Sequence, residues 1–346
     1  MKNHSLRQNA LLSLATIVVL GLFLEAAFSL YYGAPHFHKT GFGVWMYKPS
    51  TTYSFDSQVE SGEFDTTLTT NSLGFFDEDH ALEKVPGKKR VLVLGDSFTE
   101  ARQVNKGESF AYLVEERLGV EVLKFGVSDT GAVEYASLYE NLGAQFNPDF
   151  VVVFFFTNDV KDAWKSSQVK TESWYSTLRN IVNNSRFLTT LLRALSPVVQ
   201  STEVVDGKFK WVYAYSDGRD ADIEFGWRTT FEKLQELREK TRGRLAIAYI
   251  PDPHEVDGTA FKEFIKPYEA DGGEWSPETP NERFKEFAAQ NGIEFIELKS
   301  EIVKHSRGEV YFKRDGHLTK KGHEVVAGVV AERLGEMLSI KGTAGS

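Results

Sequence analysis

From residue 90 onward, the chain alternates short apolar runs with segments whose apolar residues recur at helical spacing. The runs contain few polar residues, which is typical of strands that are buried on both faces of a sheet. We predict strands at 91–94, 120–125, 150–156, 245–250 and 293–296. Helical spacing is found at 110–118, at 133–142, from a capping box at Thr229 and Glu232 onward, at 281–290 and from Thr319 onward. Strands that alternate with helices indicate an open parallel sheet with helices on both faces.

Two segments do not follow this alternation. Residues 33–87 are rich in Gly, Thr, Ser and aromatic residues, and we interpret them as a juxtamembrane stalk that packs on the domain at 88–340. Residues 162–226 form an insertion within that domain, and the helical part of the insertion carries Arg179, Arg186 and Arg193. The insertion is either ordinary packing against the sheet or a lid over the site.

The N-terminus, residues 1–32, contains a long apolar segment. Lys2 and Arg7 precede an apolar run at 10–24, Glu25 interrupts it, and 26–32 continue it. The total exceeds the roughly 20 residues that cross a bilayer. We therefore predict a single-pass transmembrane anchor in the inner or cytoplasmic membrane, with the remaining chain outside the cytoplasm, in the periplasm or the extracellular space. A cleaved signal peptide and a buried helix are the alternatives.

Composition excludes several classes of protein. Of 346 residues, 41% are hydrophobic and 26% are charged, as in a globular protein with a full core. The net charge of −9 argues against a nucleic-acid partner. The chain has no cysteine, which excludes disulfides, thiolate metal sites and a cysteine nucleophile. No nucleotide or zinc-protease motif occurs, so we expect neither a cofactor nor a metal.

Candidate chemistry lies where the predicted strands end. Ser97 follows the first strand, and Asn158 follows the third. Asp315 and His317 stand just before the last helix, two residues apart. Because ligands bind beyond the carboxyl ends of parallel strands, these side chains should meet at one edge of the sheet. There, a serine hydroxyl, an imidazole held by a carboxylate and an amide donor would suit acyl transfer.

These residues resemble the motifs of the SGNH, or GDSL-type, hydrolase family. The resemblance is carried by 95–99, 125–128, 158–159 and 315–318, and the turn at 71–75 is similar to that of a membrane-anchored bacterial branch. It implies a flavodoxin-like three-layer fold with strand order 2-1-3-4-5 and activity on esters. It further implies that Ser97 is the nucleophile, His317 the general base and Asp315 the partner that orients it. The Ser97 backbone N–H and the Asn158 side chain would form two parts of the oxyanion hole.

The sequence leaves three candidates for the third oxyanion donor, because members of the family usually have glycine where this chain has Asp129. A backbone N–H from Asp129 can still serve, but a nearby carboxylate opposes a developing negative charge. Gly126 and Gly131 are the alternative donors.

The expected function is a membrane-anchored serine esterase that removes O-acyl groups, O-acetyl above all, from a small molecule or a cell-surface glycan. One alternative is an O-acyltransferase of polysaccharide modification. The other is a weakly catalytic scaffold that binds proteins of the cell envelope. His323 is a second candidate base, although its place in the last helix favours a packing role.

Overall fold

A computed structural model of the chain describes residues 2–32, 37–56, 62–168, 182, 185, 187–188, 190–191, 211–216, 220–271 and 273–339. The chain divides into two compact units. One comprises residues 1–47 and 170–207, and the other comprises residues 48–169 and 208–346.

The smaller unit contains helix α1 (Lys2–Tyr32) and an antiparallel pair, β1 (Phe37–Lys39) and β2 (Trp45–Tyr47). Large apolar side chains of α1 between Leu12 and Phe23 are exposed. In the part of the chain that the structure describes, no helix combines the length and the apolarity that crossing a membrane demands. The Glu25 carboxylate accepts hydrogen bonds from the Ser185 hydroxyl at 2.6 Å and from the Phe187 N–H at 3.2 Å.

The larger unit begins with an antiparallel hairpin of β3 (Thr52–Asp56) and β4 (Asp65–Thr69). The ordered turn predicted at 71–75 follows. Asn71 Oδ1 accepts from the backbone N–H groups of Leu73 and Phe75, each at 3.0 Å.

A five-stranded parallel sheet organises this unit. Its strands are β5 (Arg90–Gly95), β6 (Glu121–Gly126), β7 (Phe150–Phe155), β8 (Leu245–Tyr249) and β9 (Glu294–Glu297). They lie in the order β6-β5-β7-β8-β9, so the predicted parallel sheet and the order 2-1-3-4-5 are confirmed.

Helices cover both faces of the sheet. In chain order they are α2 (Ser97–Glu100), α3 (Phe110–Leu118), α4 (Ala132–Asn141), α5 (Asp159–Gln168), α6 (Ala221–Lys240), α7 (Gly258–Ile265), α8 (Thr279–Asn291), α9 (Lys299–Ile302), α10 (Arg307–Val310) and α11 (Lys320–Met337). On one face, α3 and α11 bury their apolar side chains against the sheet. On the other, Phe155 of β7 contacts Tyr135 of α4 and Phe284 of α8, and Phe284 also contacts Trp227 of α6.

One predicted helix start is wrong. Helix α6 begins at Ala221, eight residues before the predicted capping box, and Thr229 lies buried in its interior. Asp220 caps the helix by accepting from the N–H groups of Asp222 and Ile223, at 2.9 and 3.0 Å. The buried side chains of Ile223 and Trp227 extend the packed face upstream.

Regular structure therefore extends into both ends of the predicted insertion, through α5 and α6. The three arginines at 179, 186 and 193 lie outside the described residues. The choice between lid and packing remains a prediction.

Candidate active site

Ser97 lies at the junction of β5 and α2, at the carboxyl edge of the sheet. Asp96 caps α2, with its carboxylate accepting from the Phe98 N–H at 2.9 Å. As the first residue of a helix, Ser97 has a backbone N–H without an intrahelical acceptor. The short helix packs closely on β6, since a Cβ at Gly126 would overlap the backbone of Thr99 and Glu100. Because Gly126 has no side chain, the backbone of α2 can lie close to that of β6. This close contact fixes the position of Ser97 above the sheet.

The structure brings Ser97, His317 and Asp315 together. His317 Nε2 lies 2.7 Å from Ser97 Oγ, and His317 Nδ1 lies 2.7 Å from Asp315 Oδ1. Asp315 Oδ1 also accepts from the His317 backbone N–H at 3.2 Å. A carboxylate on Nδ1 selects the tautomer whose Nε2 can accept the serine proton.

The charge on Asp315 is stabilised by its partner. Burial raises the pKa of the Asp315 carboxyl, but hydrogen bonds from His317 and the positive charge that its imidazole can carry outweigh burial, so the pKa lies below its ordinary value. Asp315 is therefore ionised whenever His317 accepts a proton.

Glu63, two residues before β4, holds the loop that carries Asp315. Its carboxylate accepts from three successive backbone N–H groups, those of Lys313 at 2.8 Å, Arg314 at 2.9 Å and Asp315 at 2.9 Å. Phe64 also contacts Phe312, with ring centroids 5.6 Å apart. The hairpin within the predicted stalk thus supports the catalytic loop. We did not predict Glu63 from the sequence, because about 250 residues separate the partners and no local pattern marks the contact.

Aromatic packing fixes the plane of the imidazole. The Phe98 ring lies between Phe156 and His317, with centroid distances of 4.3 and 4.7 Å. Phe98 is buried in the same core cluster as residues of β5 and β7, which restricts the movement of its ring.

Asn158 follows β7, the strand that pairs with β5, and so lies at the same edge of the sheet as Ser97. Its Nδ2 donates to Asp162 Oδ2 at 3.3 Å, and its Oδ1 is buried without a partner among the described residues. Burial, followed by the negative charge of Asp129, raises the pKa of Asp162 to about 8. Asp162 is thus largely neutral at pH 7 and holds the amide by a single long hydrogen bond. Its position one helical turn after Asn158 is a sequence signal that we did not use.

The end of β6 and the loop after it hold the candidates for the third donor. Asp129 is exposed and adopts φ +57°, in the left-handed region where Gly, Asn and Asp are tolerated best. No acceptor for its N–H is found in the described part of the chain. In contrast, the Gly131 N–H donates to Glu134 Oε2 at 3.1 Å, and Gly126 lies within β6. The geometry favours Asp129.

Buried carboxyls surround this edge of the sheet. Burial raises the pKa of Asp96 to about 6 and raises that of Asp159 well above its ordinary range, with mutual repulsion among the carboxylates adding to both shifts. Deprotonating these groups in the folded protein is therefore costly.

A buried polar network supports the residue before Asn158. The Thr157 hydroxyl lies 3.0 Å from Tyr215 OH and 2.5 Å from Tyr249 OH, and it donates to Glu255 Oε1 at 3.3 Å. Both tyrosine hydroxyls donate to Glu255. Burial raises the pKa of Glu255 to about 7.

His323 is not part of this constellation. It is buried, stacks on Phe110, and accepts the Phe110 N–H at its Nδ1 over 3.2 Å. Burial lowers its pKa to about 3, so the expected packing role is confirmed. Among the residues described, no group of three or more His, Asp or Glu side chains could hold a metal ion.

The chain was compared with known protein families and with curated proteins. A model of the GDSL-like Lipase/Acylhydrolase family matches residues 93–325. A search of curated proteins found no match.

Solved structures show weaker similarity. A lipase/acylhydrolase from Enterococcus faecalis is 13% identical with a TM-score of 0.42, over 74% of this chain and 100% of that one. A putative acylhydrolase from Bacteroides fragilis is 15% identical with a TM-score of 0.42, over 74% and 91%. A catalytic mutant of an acetylxylan esterase from Geobacillus stearothermophilus is 14% identical with a TM-score of 0.39, over 73% and 97%.

Proposed function

Because the chain belongs to the GDSL-like lipase/acylhydrolase family, we propose that it is a serine esterase in which Ser97 is the nucleophile, His317 the general base and Asp315 the partner that orients it. The observation that carries the proposal is the pair of 2.7 Å contacts that join the hydroxyl, the imidazole and the carboxylate.

The reaction runs through an acyl-enzyme. His317 Nε2 takes the Ser97 proton as Oγ attacks the ester carbonyl carbon, and the carbonyl π electrons move to the oxygen. The tetrahedral intermediate collapses, the C–O bond to the alcohol breaks, and His317 returns the proton to the leaving oxygen. Water then attacks the acyl-enzyme with His317 again as base, and the acid and free Ser97 are released.

Three donors serve the oxyanion in this mechanism: the Ser97 N–H, the Asn158 amide and the Asp129 N–H. Asn158 must turn from Asp162 toward the substrate, which a neutral Asp162 permits at low cost. Removing one oxyanion donor typically lowers turnover about 100- to 1000-fold. Asn158→Ala should show a loss of that size in kcat.

The substrate we propose is an O-acyl ester, O-acetyl above all, on a cell-surface carbohydrate. Membrane attachment through α1 is part of this proposal. It is supported by the apolar run at 10–24, by the exposed apolar side chains between Leu12 and Phe23, and by Lys2 and Arg7 ahead of the run, which favour an extracytoplasmic domain. Washing membranes with carbonate and fusing a topology reporter to the C-terminus test attachment and orientation. A protein released by the wash would refute the anchor.

Labelling with a fluorophosphonate tests the serine. We expect wild type and the control Ser300→Ala, an exposed serine far along the chain, to label and to hydrolyse 4-nitrophenyl acetate. Ser97→Ala should do neither. Equal labelling of Ser97→Ala would exclude Ser97 as the nucleophile, and a silent wild type that binds glycan or envelope proteins would favour the scaffold.

The same acyl-enzyme could pass its acyl group to a sugar hydroxyl instead of water. The ratio of transfer to hydrolysis, measured with and without added oligosaccharide acceptor, separates an O-acyltransferase from an esterase. Transfer that exceeds hydrolysis at millimolar acceptor would identify a transferase.

A further inference from the structure

The chain contains a second Asp-x-His pair with the same local geometry as the first. His254 Nδ1 lies 2.6 Å from Asp252 Oδ1, and Asp252 Oδ1 also accepts the His254 backbone N–H at 2.7 Å. The Asp315–His317 pair makes the same two contacts. Nothing in the proposed mechanism uses the second pair.

The second pair lies at the functional edge of the sheet. Asp252 follows β8, which is separated from β5 by β7 alone. Adjacent strands are about 4.8 Å apart, so the ends of β8 and β5 are roughly 10 Å apart. The 251–255 loop also contacts both neighbouring parts of the site. The Tyr311 hydroxyl donates to the Pro251 carbonyl at 2.6 Å, and Glu255 accepts from Thr157, the residue before Asn158.

The outer edge of the His254 ring is available to a ligand. Its side chain is 28% exposed, while that of Asp252 is 5% exposed. Asp252 occupies Nδ1, and no described residue makes a hydrogen bond to Nε2. A carboxylate on Nδ1 leaves Nε2 as an acceptor of fixed direction. A turn that served only to shape the backbone would need the Asp252 side chain but not an oriented, exposed imidazole.

One aromatic side chain packs on the ring, and it belongs to a larger aromatic cluster. His254 stacks on Phe264 with centroids 4.2 Å apart and an interplanar angle of 14°. Phe264 belongs to a partly buried cluster with Tyr213, Tyr268 and Trp275. The Tyr213 and Trp275 rings are 5.5 Å apart, and the Trp275 indole N–H is buried with no hydrogen-bond partner among the described residues.

We propose that His254, oriented by Asp252, forms with this aromatic cluster a subsite for the alcohol part of the ester, and that this part is a sugar. The inference rests on the proposed function. Aromatic faces pack against the apolar faces of pyranose rings, while His254 Nε2 accepts a hydrogen bond from a sugar hydroxyl. An alkyl alcohol would cover the same faces but leave the imidazole nitrogen unpaired, which is unfavourable in a desolvated site.

The test compares two esters in one set of proteins: 4-nitrophenyl acetate, whose alcohol is no sugar, and O-acetylated xylo-oligosaccharides. In His254→Ala we expect kcat/KM on the oligosaccharide to fall about tenfold, mainly through KM, as for the loss of one oriented hydrogen bond. Activity on the aryl ester should stay within about twofold, because the chemistry at Ser97 is untouched. His254→Gln, which keeps an acceptor, should recover part of the loss. His305→Ala, a partly exposed histidine in the turn after α9, is the matched control.

A binding measurement completes the test. Deacetylated xylo-oligosaccharide should inhibit aryl ester hydrolysis competitively, with an inhibition constant about tenfold weaker in His254→Ala. Equal losses on both esters would overturn the subsite, because they would assign His254 to positioning the loop. If His254→Ala lost activity on neither ester, the subsite would be overturned as well. A wild type that cleaves the aryl ester and not the oligosaccharide overturns the sugar while the esterase stands. A wild type inactive on both esters refutes the proposed function itself.

Discussion

Asp162 should impose an upper pH limit on catalysis. Its carboxyl accepts the Asn158 amide at 3.3 Å and has its pKa raised to about 8 by burial and the Asp129 charge. When Asp162 ionises, the neutral hydrogen bond becomes charge-assisted and roughly twice as strong. Asn158 is then retained by Asp162 and withdrawn from the oxyanion. The new negative charge also opposes the charge that develops on the substrate.

The size of the effect follows from the titration. With a pKa of about 8, Asp162 is about nine-tenths neutral at pH 7 and about one-tenth neutral at pH 9. If only the form with neutral Asp162 presents Asn158 to the oxyanion, kcat/KM should fall about tenfold across this interval. Asp162→Asn keeps an acceptor for the Asn158 amide but cannot ionise, so its profile should stay flat between pH 7 and pH 9.

The assay is hydrolysis of 4-nitrophenyl acetate between pH 6 and pH 9.5, with the hydroxide-catalysed background subtracted and folding followed by circular dichroism. Glu286→Gln, which changes an exposed carboxylate on α8, is the control and should show the same fall of kcat/KM above pH 7 as wild type. A wild-type profile that stays level to pH 9.5 would refute the reasoning. An Asp162→Asn profile in which kcat/KM still falls above pH 7 would also refute it, because another group would then cause the fall.

Three further measurements test other parts of the site. Asp315→Asn should lower kcat about 10,000-fold with little change in KM, because the imidazole is then no longer held in the tautomer that catalysis needs and its protonated form has no negative partner. A loss below tenfold would contradict the triad. Glu63→Gln should slow labelling of Ser97 by a fluorophosphonate about tenfold, because the 313–315 loop loses its charged acceptor; an unchanged rate at unchanged Tm would show that the loop holds itself. Tm should fall as pH rises from 6 to 8. Asp162 and Glu255, whose pKa values are raised to about 8 and 7, keep their protons in the folded protein after the unfolded chain has released them, so stability falls with rising pH until each raised pKa is passed, whereas Asp96, with a pKa of about 6, has lost most of its contribution below this interval. Calorimetry at fixed ionic strength checks this, and a Tm that rises over the interval would contradict it.

The parallel sheet could be predicted from the sequence because burial on both faces leaves a direct mark. Each central strand must be apolar at every position, as at 150–155, and that run has no competing interpretation as an amphipathic helix. Ser97, Asn158 and the Asp315–His317 pair were then located by the rule that parallel strands end at one edge. How these residues lie relative to one another follows from the order of the strands, and that order is a property of the whole sheet.

Helix boundaries and distant supports were harder to predict. Thr229 and Glu232 have the right spacing for a capping box, but Asp220 offers a cap two turns earlier, and the burial of Trp227 decides between them. Local propensity yields here to tertiary packing. The Glu63 contact leaves no local pattern at all, since a carboxylate that binds three N–H groups of a remote loop looks in the sequence like any exposed glutamate.

Asp129 stands where members of the family usually have glycine, and the backbone conformation of the loop explains this difference. The loop requires a left-handed residue, and φ +57° there explains why glycine is usual and why aspartate is among the few substitutes. The side chain is exposed, so solvent screens much of its charge, yet it still adds to the pKa of Asp162. A neutral Asp162 leaves one negative charge fewer near the oxyanion and keeps Asn158 loosely held. The Asp129 carboxylate thus opposes the developing oxyanion directly, but it also delays the ionisation of Asp162, whose charge would oppose the oxyanion more strongly. Glycine at 129 would remove both effects together.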